Sequence, residues 1–329
     1  MPRVILQEQV ADGRGERTAW LDVGRGVSIV LVVFYHVIML FELHGLPFAS
    51  VYDKLNGPMQ LVRMPLFFTM SALLISSRLA LPWRQYANRY LLPTAWLFLV
   101  WNSLYLLTKE SAPWSQILTS IYTVSDLITH LWFLWALVLF RCLAKLLAPV
   151  RHMAIVVAMG LSIAGFQRLS GTADLTFAEL NILKYAFFFL AAVWYGRPLA
   201  QSVERRPWLW VAAAGAGMGL SWIVYIKVLV AVTGVFSAAA VAVLIARHLP
   251  RLSSGLTWLG RRSLEIFLLH FAFITWLLPL TEGLPGSVWW ATPCVMLAAI
   301  AGSLAIRPLA EPFAPWLFEL PKWRTAVRA

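Results

Sequence analysis

Apolar runs of about twenty residues alternate with short polar breaks along most of this chain, and a run of that length is what one helical crossing of a lipid bilayer requires. Ten segments fit, over about 24–43, 62–80, 90–107, 130–148, 153–169, 178–196, 207–225, 228–246, 263–280 and 287–309. Backbone polar groups in lipid must be satisfied within each segment, so the pattern predicts an all-α fold: a polytopic membrane helical bundle with about ten transmembrane helices. Two places strain it. The second segment holds Arg63 and Pro65, and Pro65 should break the hydrogen-bond ladder. Around Lys227 two helices must turn back tightly. Residues 1–19 are polar and read as an N-terminal tail, 20–310 as the membrane domain, and 311–329 as a C-terminal tail. The longest breaks, 44–61 and 108–129, are too short for an appended catalytic domain, and no internal repeat is evident.

Composition sharpens the class. With 60% hydrophobic and 13% charged residues the chain does not describe a soluble domain. Its net charge of +12 could suggest nucleic acid, but the cations are scattered in small groups between apolar segments, so no nucleic-acid partner is expected and the lipid bilayer is. With the N-terminus placed in the cytoplasm, all of the 27 lysines and arginines fall on that side except Lys54, Arg63, Lys109, Arg168, Lys184 and Lys227. This predicts a multi-pass protein of the inner (plasma) membrane with both termini cytoplasmic. The first run is too long for a signal-peptide core and reads as a retained span. The two cysteines, Cys142 and Cys294, lie in separate apolar segments without a CxxC spacing or a histidine pair, which points to neither a disulfide nor a metal site.

Chemistry concentrates in the first span, DVGRGVSIVLVVFYHVIMLFEL, residues 22–43. Arg25 and His36 are eleven residues apart, hence within roughly 20° of one helix face and about 16 Å apart along it. Asp22 is three residues before Arg25 and can pair with it. An ionisable group in hydrocarbon is costly unless it faces protein, water or a partner, so His36 is either functional or a histidine that only hydrogen-bonds a neighbouring helix. In the second span, RMPLFFTMSALLISSR, Ser71 and Ala72 form a small-residue stripe that admits another helix. In WRQYANRYLLPTAW, Arg84 and Arg89 precede Pro93; they are either topological anchors or a phosphate site, since arginine grips phosphate with paired hydrogen bonds. His130 opens THLWFLWALVLF at a span boundary and reads as interfacial. Late in the chain, LGRRSLEIFLLHF places Ser263 and His270 on one helix face, while Glu265 lies about 140° from His270 and is expected to pair with Arg261.

These blocks carry a resemblance. RTAWLDVGRGVSIVLVVFYHV, MPLFFTMSALLIS, NRYLLPTAW, HLWFLWALV and LGRRSLEIFLLH are similar, in this order, to successive blocks of the acyltransferase 3 family of membrane-bound O-acyltransferases, over residues 17–310. The most specific is arginine, ten residues, then histidine, here Arg25 and His36. Two positions depart from it: Tyr86 and Tyr90 stand where many relatives carry basic residues, and Ala72 where glycine is usual. The resemblance implies transfer of an acyl group, often acetyl, from cytoplasmic acyl-CoA to a hydroxyl of a carbohydrate or glycolipid acceptor. Acyl-CoA would be a co-substrate, with no bound cofactor and no metal. His36 would act as general base or carry the acyl group itself, with Arg25 and Asp22 at the donor end, Arg84 and Arg89 receiving CoA, and His270, Ser263 and His130 secondary. The competing class is a secondary transporter or exporter of a sugar or lipid-linked intermediate, in which His36 would relay protons.

Overall fold

A computed structural model of the protein describes residues 2–46, 49–108, 130–167, 175–282, 284 and 289–321, with residues 2–18 as backbone alone. Among the described residues eleven helices make up the bundle. Helix α1 (Pro2–Leu43) has Ala19–Leu43 as its apolar part, and α2 is Ser50–Ile75. Then come α3 (Trp83–Leu107), α4 (Trp132–Leu146), α5 (Arg151–Gln167) and α6 (Phe177–Arg205). The last five are α7 (Pro207–Ile223), α8 (Lys227–His248), α9 (Pro250–Arg261), α10 (Ser263–Leu277) and α11 (Ala291–Ala310). Each of the ten expected spans is a helix. Among the described residues eight helices are long and apolar enough to cross a membrane, while α4 and α7, at 15 and 17 residues, are shorter.

Local chemistry explains several boundaries. Thr176 caps α6 with a reciprocal pair: its hydroxyl accepts from the Glu179 N–H, and the Glu179 carboxylate accepts from the Thr176 N–H. The predicted tight turn before Lys227 is a helix C-cap in which Ile226 N–H reaches the Ser221 carbonyl and Tyr225 N–H the Trp222 carbonyl. Its pivot is Tyr225 at φ 58°, a left-handed position that glycine usually fills. Pro93 has no N–H to return to the Arg89 carbonyl, and α3 widens into a π-helical turn over Ala87–Leu91, with Leu92 N–H bonding back to Ala87.

Pro65 takes one bond out of the ladder, and α2 still runs through both Pro58 and Pro65, because a neighbour-packed membrane helix tolerates the lost bond. Three expectations are changed. Residues 50–61, expected in a loop, form the first turns of α2. The polar N-terminal segment continues α1 as helical backbone from Pro2. The break between the eighth and ninth spans is itself a helix, α9, begun by Pro250 at its first position and carrying Leu252, Leu256 and Leu259 at helical spacing. At the C-terminus, Trp96 and Trp101 of α3 donate to the Trp316 and Leu317 carbonyls, so residues 315–318 dock on the bundle. Lys109, Arg168 and residues 322–329 lie outside the described residues.

Side-chain bonds show the alternation of the spans. At one end, Lys145 of α4 donates to the Leu79 and Leu81 carbonyls after α2, and Arg141 of α4 to the Tyr90 carbonyl of α3. Arg197 of α6 reaches Ser76, Arg247 of α8 the Glu204 carbonyl of α6, and Arg307 of α11 the Glu265 carboxylate of α10. This basic end joins the last turns of α2, α4, α6, α8 and α11 to the first turns of α3 and α10. At the far end, Tyr52 of α2 donates to the Trp289 carbonyl before α11, and Ser162 of α5 to the Lys184 carbonyl of α6. Single cysteines introduced at Asn56 and Arg205 should therefore react with an impermeant thiol reagent from opposite faces of the membrane; labelling of both from one face would contradict the threading.

Candidate active site

Helices α1 and α10 run parallel, and both predicted same-face pairs meet across them. Arg25 Nη2 donates to Ser263 Oγ at 2.9 Å, and His36 Nδ1 lies 3.1 Å from His270 Nε2. The lower part of this contact is set by glycine. A Cβ on Gly26 would lie 2.1 Å from the Leu256 carbonyl oxygen, and one on Gly260 would lie 2.0 Å from that of Asp22. Backbone therefore touches backbone where α9 crosses α1, bringing Arg261 and Ser263 to Asp22 and Arg25. Asp22 is shared, with Oδ1 3.8 Å from Arg25 and Oδ2 accepting from Arg261 at 3.1 Å. The expected Glu265–Arg261 pair does not form. The chain breaks helix at Arg262, so the two residues belong to different helices, and Glu265 binds Arg307 at 2.6 Å instead.

For neutral imidazoles, the hydrogen-bond partners of the two histidines assign their tautomers. His270 Nδ1 faces the Ile266 carbonyl at 2.8 Å and must donate to it, which leaves its Nε2 as an acceptor. His36 Nδ1 faces the Val32 carbonyl at 2.9 Å and likewise carries the proton, which it shares with His270 Nε2. The remaining nitrogen, His36 Nε2, has a free lone pair and no protein hydrogen bond among the described residues. His36 is half-buried and lines a cavity. His130 was expected at the interface but is 1% exposed; its ring stacks on Phe271 with centroids 4.8 Å apart and lies 5.7 Å from the His270 ring. Just before α4, it is folded inward by this aromatic packing, and both its nitrogens lack hydrogen-bond partners among the described residues.

Two cavities flank this cluster. The far-end cavity, about 320 Å³, is lined by His36, His130, Tyr35, Arg63, Asn181 and Tyr185 among others, and reaches the surface at Gln60, Phe177 and Trp222. The basic-end cavity, about 200 Å³, is lined by Arg25, Ser71, Tyr90, Thr94, Arg141 and Ser263. Phe133 and Phe267 line both, their ring centroids 5.1 Å apart, and Phe67 packs on Phe133 at 4.8 Å. One face of α1 thus presents Arg25 to one cavity and His36 to the other, across an aromatic wall.

Arg63 and Arg141 were not recognised as site residues from sequence. Each is an arginine with apolar neighbours inside a predicted span, in VRMPLF and LVLFRCL, and that costly placement was the available signal. Arg141 Nη1 bonds the Tyr90 carbonyl at 2.8 Å and Thr94 Oγ1 at 2.6 Å, while the Tyr86 hydroxyl donates to the Arg141 carbonyl. A cation supplied by α4 is thus held at the Tyr90 backbone carbonyl and the Thr94 hydroxyl, and the Tyr86 hydroxyl ties down the backbone that carries it. Arg84 and Arg89, by contrast, are exposed near the basic end and do not line the basic-end cavity. Ala72 is fully buried in helix packing, whereas its neighbour Ser71 faces the cavity.

No curated protein and no solved structure matches the chain. A family model does: that of the acyltransferase 3 family, described as an acyltransferase domain, matches residues 18–307. The match takes in both cavities, the aromatic wall and every histidine of the cluster, and the chain belongs to this family of membrane acyltransferases.

Proposed function

We propose that the protein moves an acyl group, most simply acetyl, from acyl-CoA held at the basic end to a sugar hydroxyl held in the far-end cavity. The basic end then faces the cytoplasm, where CoA is found, in accord with the strong bias of cations to that end. The observation that carries this reading is the unpaired Nε2 of His36, open to one cavity while the other, lined by Arg25 and Arg141, lies behind a wall of phenylalanines. His36 Nε2 takes the proton of the acceptor hydroxyl as its oxygen attacks the thioester carbonyl. The C–S bond then breaks, and the proton passes to the departing sulfur to give CoA–SH. The imidazolium formed in between keeps its Nδ1–H bonded to the Val32 carbonyl and His270 Nε2, which stabilise it and hold the ring. His270 is thus a positioning residue. Arg25 and Arg141 supply charge for the donor phosphates.

Inside-out vesicles given radiolabelled acetyl-CoA test the reading: label should pass to a glycan acceptor, whereas glycan movement without labelling would make the protein a carrier. The cavity geometry also ranks the arginines. Arg141→Gln should raise the KM for acyl-CoA about tenfold, the worth of one charge-assisted hydrogen bond, with a smaller effect on the acceptor KM. Arg89→Gln, on an exposed turn, should change the donor KM less. The reverse order would place the donor outside the basic-end cavity.

A further inference from the structure

The far-end cavity has a charge pattern that acyl transfer to a neutral sugar does not require. Arg63 is only 8% exposed, yet among the described residues it has no carboxylate partner. Its contacts are Asn56 Oδ1 at 3.2 Å and the face of Tyr35, 3.6 Å from the ring centroid. Two other partly buried arginines have acids, Arg25 with Asp22 and Arg307 with Glu265, Glu311 and Glu319, while Arg141 of the basic-end cavity is held by a carbonyl and a hydroxyl. A buried cation without a counter-charge is costly, and such residues in membrane proteins mark ligand sites. Arg63 is also not alone. Lys227 lines the same cavity, a second of the six cations outside the basic end. No Asp or Glu is among the described residues that line it.

We propose that the far-end cavity takes an acceptor bearing an anionic group, a carboxylate or a phosphate, close to the hydroxyl that is acylated. The guanidinium of Arg63 receives the anion through paired hydrogen bonds, and Lys227 at the exposed rim draws it in. Tyr35 and Tyr185 line the cavity beside the guanidinium. The anion also offsets a positive charge that would otherwise face the imidazolium formed on His36, so charge on the acceptor favours turnover as well as binding. That the ligand is an acyl acceptor rests on the proposed function, whereas the anion preference is a property of the cavity itself.

The test uses the full chain in nanodiscs of uncharged lipid and three fluorescent disaccharides that differ in one residue: glucuronate, glucose 6-phosphate or glucose. At least one anionic probe should bind about tenfold more tightly than the neutral one, and comparison of the two identifies carboxylate or phosphate as the preferred group. Arg63→Gln should bring the preference close to one, and Arg63→Lys should keep part of it. Should Arg63→Gln fail to fold, Lys227→Gln at the exposed turn should still lower the preference about threefold. Equal binding of charged and neutral probes, a preference untouched by the substitutions, or no binding of either anionic probe overturns the proposal. Transfer assays separate the two readings. Equal acyl labelling of all three probes overturns the anion preference and leaves acyl transfer standing; an intact preference with no labelling upholds the cavity assignment and removes the acyltransferase reading from it.

Discussion

Replacement of His36 with alanine should lower kcat/KM for acyl transfer by about 10² to 10⁴-fold, the usual worth of a positioned general base. The protein should still insert and accumulate, because the substitution removes one half-buried ring and two polar contacts from a large helical bundle. The loss follows from the hydrogen-bond geometry. Both histidines place a proton on Nδ1 to satisfy a carbonyl four residues earlier, which leaves His36 Nε2 as the nitrogen able to accept a proton from a ligand in the cavity. His270→Ala should cost less and should act on kcat with little change in either KM, since His270 touches the imidazole and not the substrate. Turnover from labelled acyl-CoA, measured at matched membrane abundance, decides the point. A His36→Ala protein with near-normal turnover would remove the base from the mechanism.

The largest effect on folding should come from glycine. Gly260→Ala and Gly26→Ala each place a methyl group about 2 Å from a backbone oxygen of the opposite helix, and backbone cannot swing aside as a side chain can. Overpacking against side chains already costs typically 1–3 kcal/mol, so each substitution should lie at or above the top of that range. The same change at Gly255, on the same helix but facing open space, should be neutral or stabilise by up to about 1 kcal/mol through better helix propensity. Fluorescence-detected gel filtration after graded heating compares the three. If Gly255→Ala lost as much as Gly260→Ala, the sensitivity would belong to α9 in general and not to its contact with α1.

Helical phase made the core of the site legible. Spacings of eleven residues from Arg25 to His36 and of seven from Ser263 to His270 put each pair on one face, and those two faces meet. Phase failed where helix continuity failed: Arg261 and Glu265 satisfy the i, i+4 rule only on one unbroken helix, and the break at Arg262 redirects both to partners 239 and 42 residues away. Loop residues were read through their charge. The cations around α9 looked like topological anchors, and its Leu252, Leu256 and Leu259 stripe went unread. The GRG run of α1 likewise gave no sign by itself that Gly26 meets another backbone, because a close approach needs both partners in view. His130 was misplaced because a boundary position in sequence does not say whether the ring turns towards lipid or into the bundle.

The aromatic wall has an electrical meaning. Where water fills the two cavities, the insulating layer of the membrane, normally about 30 Å of hydrocarbon, thins towards the depth of the rings of Phe133 and Phe267 that both cavities share. Much of the membrane potential then falls over that short distance, where moving one charge across 100 mV takes about 2.3 kcal/mol. An uncharged thioester can pass such a layer without electrical work, while an ion or a phosphate cannot. Under the proposed function, phenylalanine at these positions would let the neutral thioester through while keeping the membrane from leaking charge at its thinnest point.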